Sequence, residues 1–140
     1  MNALTQPLRI VDQHSWMTTP TELLVYTRDH LDVARMVSSL EDAGHTVDVA
    51  TDLKSGQGLF LERGGHAALV ITPSVSPGNA KRLLESLRAV DPGIPVVVFG
   101  EAALRSERPD SVHRIRTFFP GSRAGIGALQ RLLTGVLSSQ

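Results

Sequence analysis

An α/β fold built on a single parallel sheet is what this sequence predicts, and three observations predict it. Short apolar runs rich in strand formers alternate with segments whose apolar residues recur at helical spacing. Two of those runs, Ala67 to Ile71 and Val96 to Phe99, show no polar alternation, as in strands buried on both faces. The chain has 140 residues, 41% of them hydrophobic, which suits one globular domain with a real core.

The elements follow in order. Residues 1–20 mix polar residues with scattered apolar ones and end in Thr18-Thr19-Pro20. They read as a mobile N-terminal extension, with an extra edge strand over Leu8 to Val11 or a docking arm through Trp16 as the alternatives. The domain proper is expected over residues 21–140. Leu23-Leu24-Val25-Tyr26 is a first strand. Leu31, Ala34, Met36, Val37 and Leu40 mark a helix that Asp29 can cap and Gly44 closes. Val47 to Ala50 alternates like a half-buried strand. Leu53, Leu59, Phe60 and Leu61 suggest a second helix, weakened by Gly56 and Gly58 and ended by Gly64-Gly65. After the Ala67 to Ile71 strand, Pro73 and Pro77 punctuate a loop. Ala80, Leu83, Leu84, Leu87 and Val90 form an amphipathic helix that ends at Asp91-Pro92-Gly93. Pro95 introduces the Val96 to Phe99 strand. Thr117-Phe118-Phe119 reads as a last short strand, and Ile126, Leu129, Leu132, Leu133 and Val136 as a C-terminal helix.

Composition excludes several functions. Fourteen basic residues balance fourteen acidic ones, so no global charge attracts nucleic acid or anionic lipid. Without cysteine there is no disulfide, thiol nucleophile or Cys-based metal site. No apolar run nears the roughly 18 residues of a membrane span, and the N-terminus lacks the apolar stretch of a signal peptide. A cytoplasmic protein is expected.

In a parallel sheet of this kind, ligands and reactive groups gather at the carboxyl ends of the strands. That rule selects Thr27 to Asp29, Thr72 to Ser74, Gly100-Glu101 and Phe119 to Gly121.

Over about residues 22–137 the chain resembles the receiver domains of bacterial two-component response regulators. The likeness rests on Leu23 to Tyr26, on Leu40-Glu41-Asp42-Ala43-Gly44-His45-Thr46-Val47, on Leu69-Val70-Ile71, and above all on Leu87 to Phe99 through Asp91-Pro92-Gly93-Ile94-Pro95. The resemblance implies a flavodoxin-like, doubly wound sheet of five parallel strands in the order 2-1-3-4-5. It also implies where the family's chemistry would lie. The acidic pair that holds Mg²⁺ falls on Thr27 and Arg28, with Asp29 one place later. The phosphoaccepting Asp falls on Thr72, the Thr/Ser that ends the fourth strand on Gly100, and the Lys-Pro pair on Phe119-Pro120. A guanidinium at Arg28 repels Mg²⁺ and can pair with Asp29, and Thr72 has no carboxylate nucleophile. These substitutions point to a pseudo-receiver without catalytic residues, metal or cofactor. Glu101 to Arg116 is short and charged, with Pro109-Asp110 in its middle, so an irregular fourth helix is expected.

Other constellations have plainer readings. Five histidines, at 14, 30, 45, 66 and 113, show no metal-ligand spacing and read as solvated loop residues. Gly121 to Gly127 reads as a loop and helix cap, with an anion pocket built from Arg28 and Arg123 as the alternative. Arg105, Arg108, Arg114, Arg116, Phe118, Arg123 and Arg131 make a candidate interaction surface, interrupted by Glu101, Glu107 and Asp110. The expected function is a non-catalytic interaction or regulatory module in bacterial signal transduction, standing alone or serving as the N-terminal piece of, for example, a transcription activator. Its expected partner is a protein, with a homodimer through the same face as the alternative, and neither membrane nor nucleic acid. The competing reading is a small-ligand or nucleotide sensor at the carboxyl-end pocket.

Overall fold

The computed structural model describes residues 21–116 and 119–138. The readings made for residues 1–20, Thr117 and Phe118 lie outside the described residues.

Five strands, β1 (Glu22–Tyr26), β2 (Thr46–Ala50), β3 (Ala68–Ile71), β4 (Val96–Phe99) and β5 (His113–Ile115), form one sheet in the order β2-β1-β3-β4-β5. All four pairings are parallel. Four α-helices cover it: α1 (Ala34–Asp42), α2 (Leu53–Arg63), α3 (Pro77–Arg88) and α4 (Arg123–Ser138). Because strand side chains alternate between faces, the continuous apolar runs feed two cores at once. Leu24, Tyr26, Leu69, Ile71, Val96 and Val98 pack with Phe60, Leu83, Leu84 and Leu87 of α2 and α3. Leu23, Val25, Ala68, Val70, Val97 and Phe99 pack with Met36 and Leu40 of α1 and Leu129 and Leu133 of α4.

Local signals set the helix starts. Asp29 accepts the Leu31 N–H at 2.9 Å and opens a 3₁₀ turn, His30–Val33, that leads into α1. Asp52 and Ser55 form a reciprocal capping box at the start of α2. Ser76 caps α3, with Pro77 as its first residue. The expectation that glycine would weaken α2 is met by packing. A β-carbon on Gly56 would stand 3.1 Å from Leu83 Cδ1, so its absence lets α2 lie close against α3.

Three expectations need correction. The last strand is His113–Ile115, earlier than Thr117-Phe118-Phe119. It is a three-residue strand that, among the described residues, pairs with β4 alone, so it lacks the apolar run of a strand buried on both sides. Leu31 does not join the buried stripe of the first helix; it lies in the 3₁₀ turn and is 82% exposed. Val90 stands past the end of α3, also exposed. The irregular segment after β4 is as expected: between β4 and β5 the only helical piece is the 3₁₀ turn Pro109–Ser111. Among the described residues no helix is long and apolar enough to cross a membrane.

Candidate functional site at the carboxyl edge of the sheet

β1 and β3 are neighbours, so their C-terminal continuations, Thr27 and Thr72, emerge side by side. Both are buried, and their hydroxyls are 3.0 Å apart, Thr72 donating to Thr27. Ser74 turns back to complete the group, 2.9 Å from Thr72 Oγ1 and 3.3 Å from Thr27 Oγ1. The Ser74 hydroxyl also accepts the Arg28 N–H at 3.0 Å, and Thr27 reaches the Asp29 carbonyl at 3.3 Å. A knot of three neutral hydroxyls therefore ties the β1 loop to the β3 loop. It satisfies its own polar atoms, as buried hydroxyls must. The carboxyl-end rule marked Thr27 and the stretch Thr72 to Ser74 in the sequence; that the three hydroxyls meet is a finding of the structure.

The remaining positions take separate places. The Asp29 carboxylate is committed to the Leu31 N–H, and among the described residues it forms no pair with Arg28, which is exposed. The expected Arg28–Asp29 contact is thus corrected: helix capping takes the carboxylate, while the Arg28 side chain lines a different cleft. Gly100 has φ +91 and presents no side chain; its N–H donates to the Ile115 carbonyl at 2.9 Å. Phe119 is 79% exposed and lines, with Pro120, Gly121, Asp32, Thr72 and Pro73, an open cleft of about 270 Å³. Asp32 was not singled out in the sequence, because only the 3₁₀ turn brings it to this edge. Among the described residues no three His, Asp or Glu side chains converge to hold a metal ion.

The glycine-rich start of α4 has a structural explanation. A β-carbon on Gly125 would lie 1.8 Å from the Phe119 carbonyl oxygen. Ser122 caps the helix by accepting the Gly125 N–H at 3.0 Å and donates to that same carbonyl at 2.8 Å. Gly125 thus allows the Phe119-Pro120 loop to fold tightly onto the helix.

The basic cluster splits. Arg105, Arg114 and Arg116 meet Glu101, Glu107 and Pro109 around a groove of about 190 Å³. Arg116 pairs with Glu101 at 3.0 Å, and Arg108 with Asp110 at 3.4 Å. Arg123 and Arg131 are exposed on α4. Arg114 is corrected from a freely exposed residue to a half-buried clamp. Its side chain is 12% exposed and donates to the carbonyls of Gly100 (2.7 Å) and Ala103 (2.9 Å). Arg88 of α3 grips the other end of the segment through the Ser111 carbonyl at 2.9 Å and Glu107 at 3.4 Å. Leu104 between them is buried at φ +59, a strained value for a branched residue, held by these anchors.

His66 is a second correction. Rather than being solvated, it stacks on Phe60 with ring centroids 5.8 Å apart, and its Nε2 is 2.8 Å from Asp48 Oδ2. Arg63 holds the same carboxylate through Nε at 2.8 Å and reaches Glu22 at 3.2 Å. The hydrogen bond from Arg63 pulls the Asp48 pKa below its ordinary value, His66 adding to it and burial opposing both.

No protein-family model matches this sequence. No curated protein matches it either. Solved structures do match. The response regulator receiver protein of Sinorhizobium medicae WSM419 superposes with a TM-score of 0.67 at 16% identity, over 86% of this chain and 97% of that one. The receiver domain of the sensor histidine kinase PA1611 from Pseudomonas aeruginosa PAO1, which has magnesium in its active-site cleft, gives 0.63 at 16% identity over 86% and 99%. A de novo designed Rossmann 2x3 protein reaches 0.61 at 13% identity over 82% and 90%. At such identities the likeness is one of fold, and the designed protein makes the point directly: this architecture is reached without inheriting any function. The fold is that of a receiver domain, with the sheet order the resemblance implied.

Proposed function

We propose that this chain is a pseudo-receiver: a non-catalytic module of bacterial signal transduction that acts by binding another protein and takes no phosphoryl group at the usual position. The observation that carries the proposal is the Thr27–Thr72–Ser74 hydroxyl knot at the carboxyl ends of β1 and β3. Phosphoryl transfer to a carboxylate needs an exposed, ionised oxygen and a cation that neutralises the incoming group. Thr72 offers a buried, neutral hydroxyl whose neighbours already hold it. The resemblance puts Arg28 at a metal-ligand position, and a guanidinium supplies no oxygen to Mg²⁺. Gly100 and Phe119 supply neither hydroxyl nor amine to the transferred group.

The partner surface in this reading is the segment between β4 and β5. Arg88 and Arg114 pin it from below, so its outer face offers Arg105, Arg108, Arg116 and Glu101 without the ordering cost of a loose loop. Mixed charge on a rigid groove suits a protein surface of complementary charge pattern.

The test is incubation with acetyl phosphate and Mg²⁺ followed by intact mass measurement. The mass is expected to stay unchanged. A phosphoryl adduct mapping to residues 27–29 or 72 would overturn the proposal.

A further inference from the structure

A cleft beside the hydroxyl knot, sharing Ser74 with it, opens on the α2/α3 side of the same sheet edge. It measures about 250 Å³ and is lined by Tyr26, Arg28, Thr51, Ser74, Ser76 and Asn79, with Val75 at its side. Thr72 does not line it.

Ser74 is committed to the knot, but four other polar side chains of the lining make no hydrogen bond within the protein among the described residues. Tyr26 is 2% exposed, yet among the described residues its hydroxyl has no hydrogen-bond partner. The ring is buried, but the hydroxyl is open to the cleft: the buried side-chain atoms without a partner, among the described residues, are His66 Nδ1 and Arg88 Nε. Burial first, and the Asp52 carboxylate second, push the Tyr26 pKa up from its ordinary value, so the hydroxyl stays protonated and can donate. The Thr51 hydroxyl, the Asn79 amide and the Arg28 guanidinium are likewise without protein partners among the described residues. Ser76 accepts the Asn79 N–H at 3.2 Å as the cap of α3 and keeps its own hydrogen to give. No carboxylate lines the cleft. Asp52, whose charge acts on Tyr26, lies outside the lining and accepts the Ser55 N–H at 2.7 Å. The first turn of α3 adds the positive end of a twelve-residue helix.

We infer that this cleft is a binding site for a small oxyanion of the phosphate-monoester class, held by Arg28 and by donors from Tyr26, Ser76 and Asn79. One cation and several neutral donors, with no carboxylate in the lining itself, suit a multi-oxygen anion. The volume falls below the roughly 300–1,000 Å³ of drug-sized ligand sites, which favours a compact ligand over a whole nucleotide. The inference does not depend on the protein-docking reading: an anion here adds no phosphoryl group to the chain, and partner binding uses the opposite end of the sheet.

The test uses inorganic phosphate as probe, with sodium chloride at matched ionic strength as control. Backbone amide shifts are followed by NMR in the wild type and in the Arg28→Ala, Tyr26→Phe and Asn79→Ala variants, whose melting temperatures are measured in parallel. Saturable shifts are expected at residues 28, 51 and 74–79. Arg28→Ala is expected to weaken binding by about tenfold or more, and Tyr26→Phe by about threefold to tenfold, since each removes a direct donor. Absence of saturable shifts, or saturable shifts indifferent to all three variants, would overturn the assignment. Acetate compared with phosphate checks the class: equal affinity for the two would reject a phosphate-type site. An intact-mass experiment alone cannot produce any of these outcomes, so this proposal and the pseudo-receiver reading fail separately.

Discussion

Arg114 shows how far one side chain's environment can depart from its neighbours'. Five arginines cluster between positions 105 and 123, and in the sequence they look equivalent. Arg108, Arg116 and Arg123 are exposed, whereas Arg114 turns inward and donates to two carbonyls that no helix or strand satisfies. Its planar fork suits that task, because several donors point in fixed directions from one group. Arg114→Ala would take from both carbonyls the donor that the side chain supplies. A loss of about 2–3 kcal/mol in unfolding free energy is expected, with Arg114→Lys recovering only part of it. Arg116→Ala, which loses one exposed ion pair, is expected to cost less than about 0.5 kcal/mol. Urea denaturation of the three variants checks the ranking; equal losses for Arg114→Ala and Arg116→Ala would remove the clamp.

At the scale of elements, the edge strand β2 is held by charge as well as by its ladder. Asp48 projects from its middle and receives Arg63 from the last turn of α2 and His66 from the approach to β3. Three consecutive elements of the chain thus meet at one carboxylate. The Asp48 pKa is lowered in the fold, chiefly by the Arg63 hydrogen bond. A group held below its unfolded value stabilises the fold fully above the ordinary carboxylate range, and that contribution fades as pH falls through the folded value. Asp48→Asn is therefore expected to lose about 1–2 kcal/mol near neutral pH, discounted because the Arg63 side chain is 39% exposed. The gap to wild type should close below about pH 4. Thermal melts of both proteins from neutral to acidic pH check this, and a gap that persists unchanged into acid would deny the linkage.

The whole molecule has two ends with different characters. The carboxyl edge carries the hydroxyl knot and the oxyanion cleft, while the β4–β5 segment forms a rigid groove of mixed charge along the far side of the sheet. A two-fold contact through that groove would match basic groups with acidic ones on a second copy. Such a contact is screened over about 8 Å at physiological ionic strength. The groove already pairs Arg116 with Glu101 and Arg88 with Glu107 within one chain. Those internal pairs leave less charge for self-association, so a monomer is expected by sedimentation at low and high salt. A dimer dissociated by salt and by Arg105→Glu with Arg116→Glu would reassign the groove to self-association. A dimer indifferent to both would place the interface elsewhere.

Periodicity determined most of this architecture in advance. Ala67 to Ile71 and Val96 to Phe99 read as strands covered on both sides, and the stripe Ala80, Leu83, Leu84, Leu87 as a helix with one apolar face. Hydrophobic burial is a property of local pattern, so it is written along the chain. The identities of Thr27, Thr72 and Gly100 at the strand ends were legible for the same reason: they follow unmistakable strands. The short strand β5 was not, because a three-residue edge strand buries too little to impose a pattern. Nor were the hydroxyl knot, the Arg114 clamp, the buried His66 or the free phenol of Tyr26. Each depends on groups such as Thr72 and Ser74 meeting Thr27 from 45 and 47 residues away. Hydrogen bonds of that kind are directional and long-range, so which polar groups are partnered, and which are left to bind something else, is decided only when the sheet and its helices have closed around them.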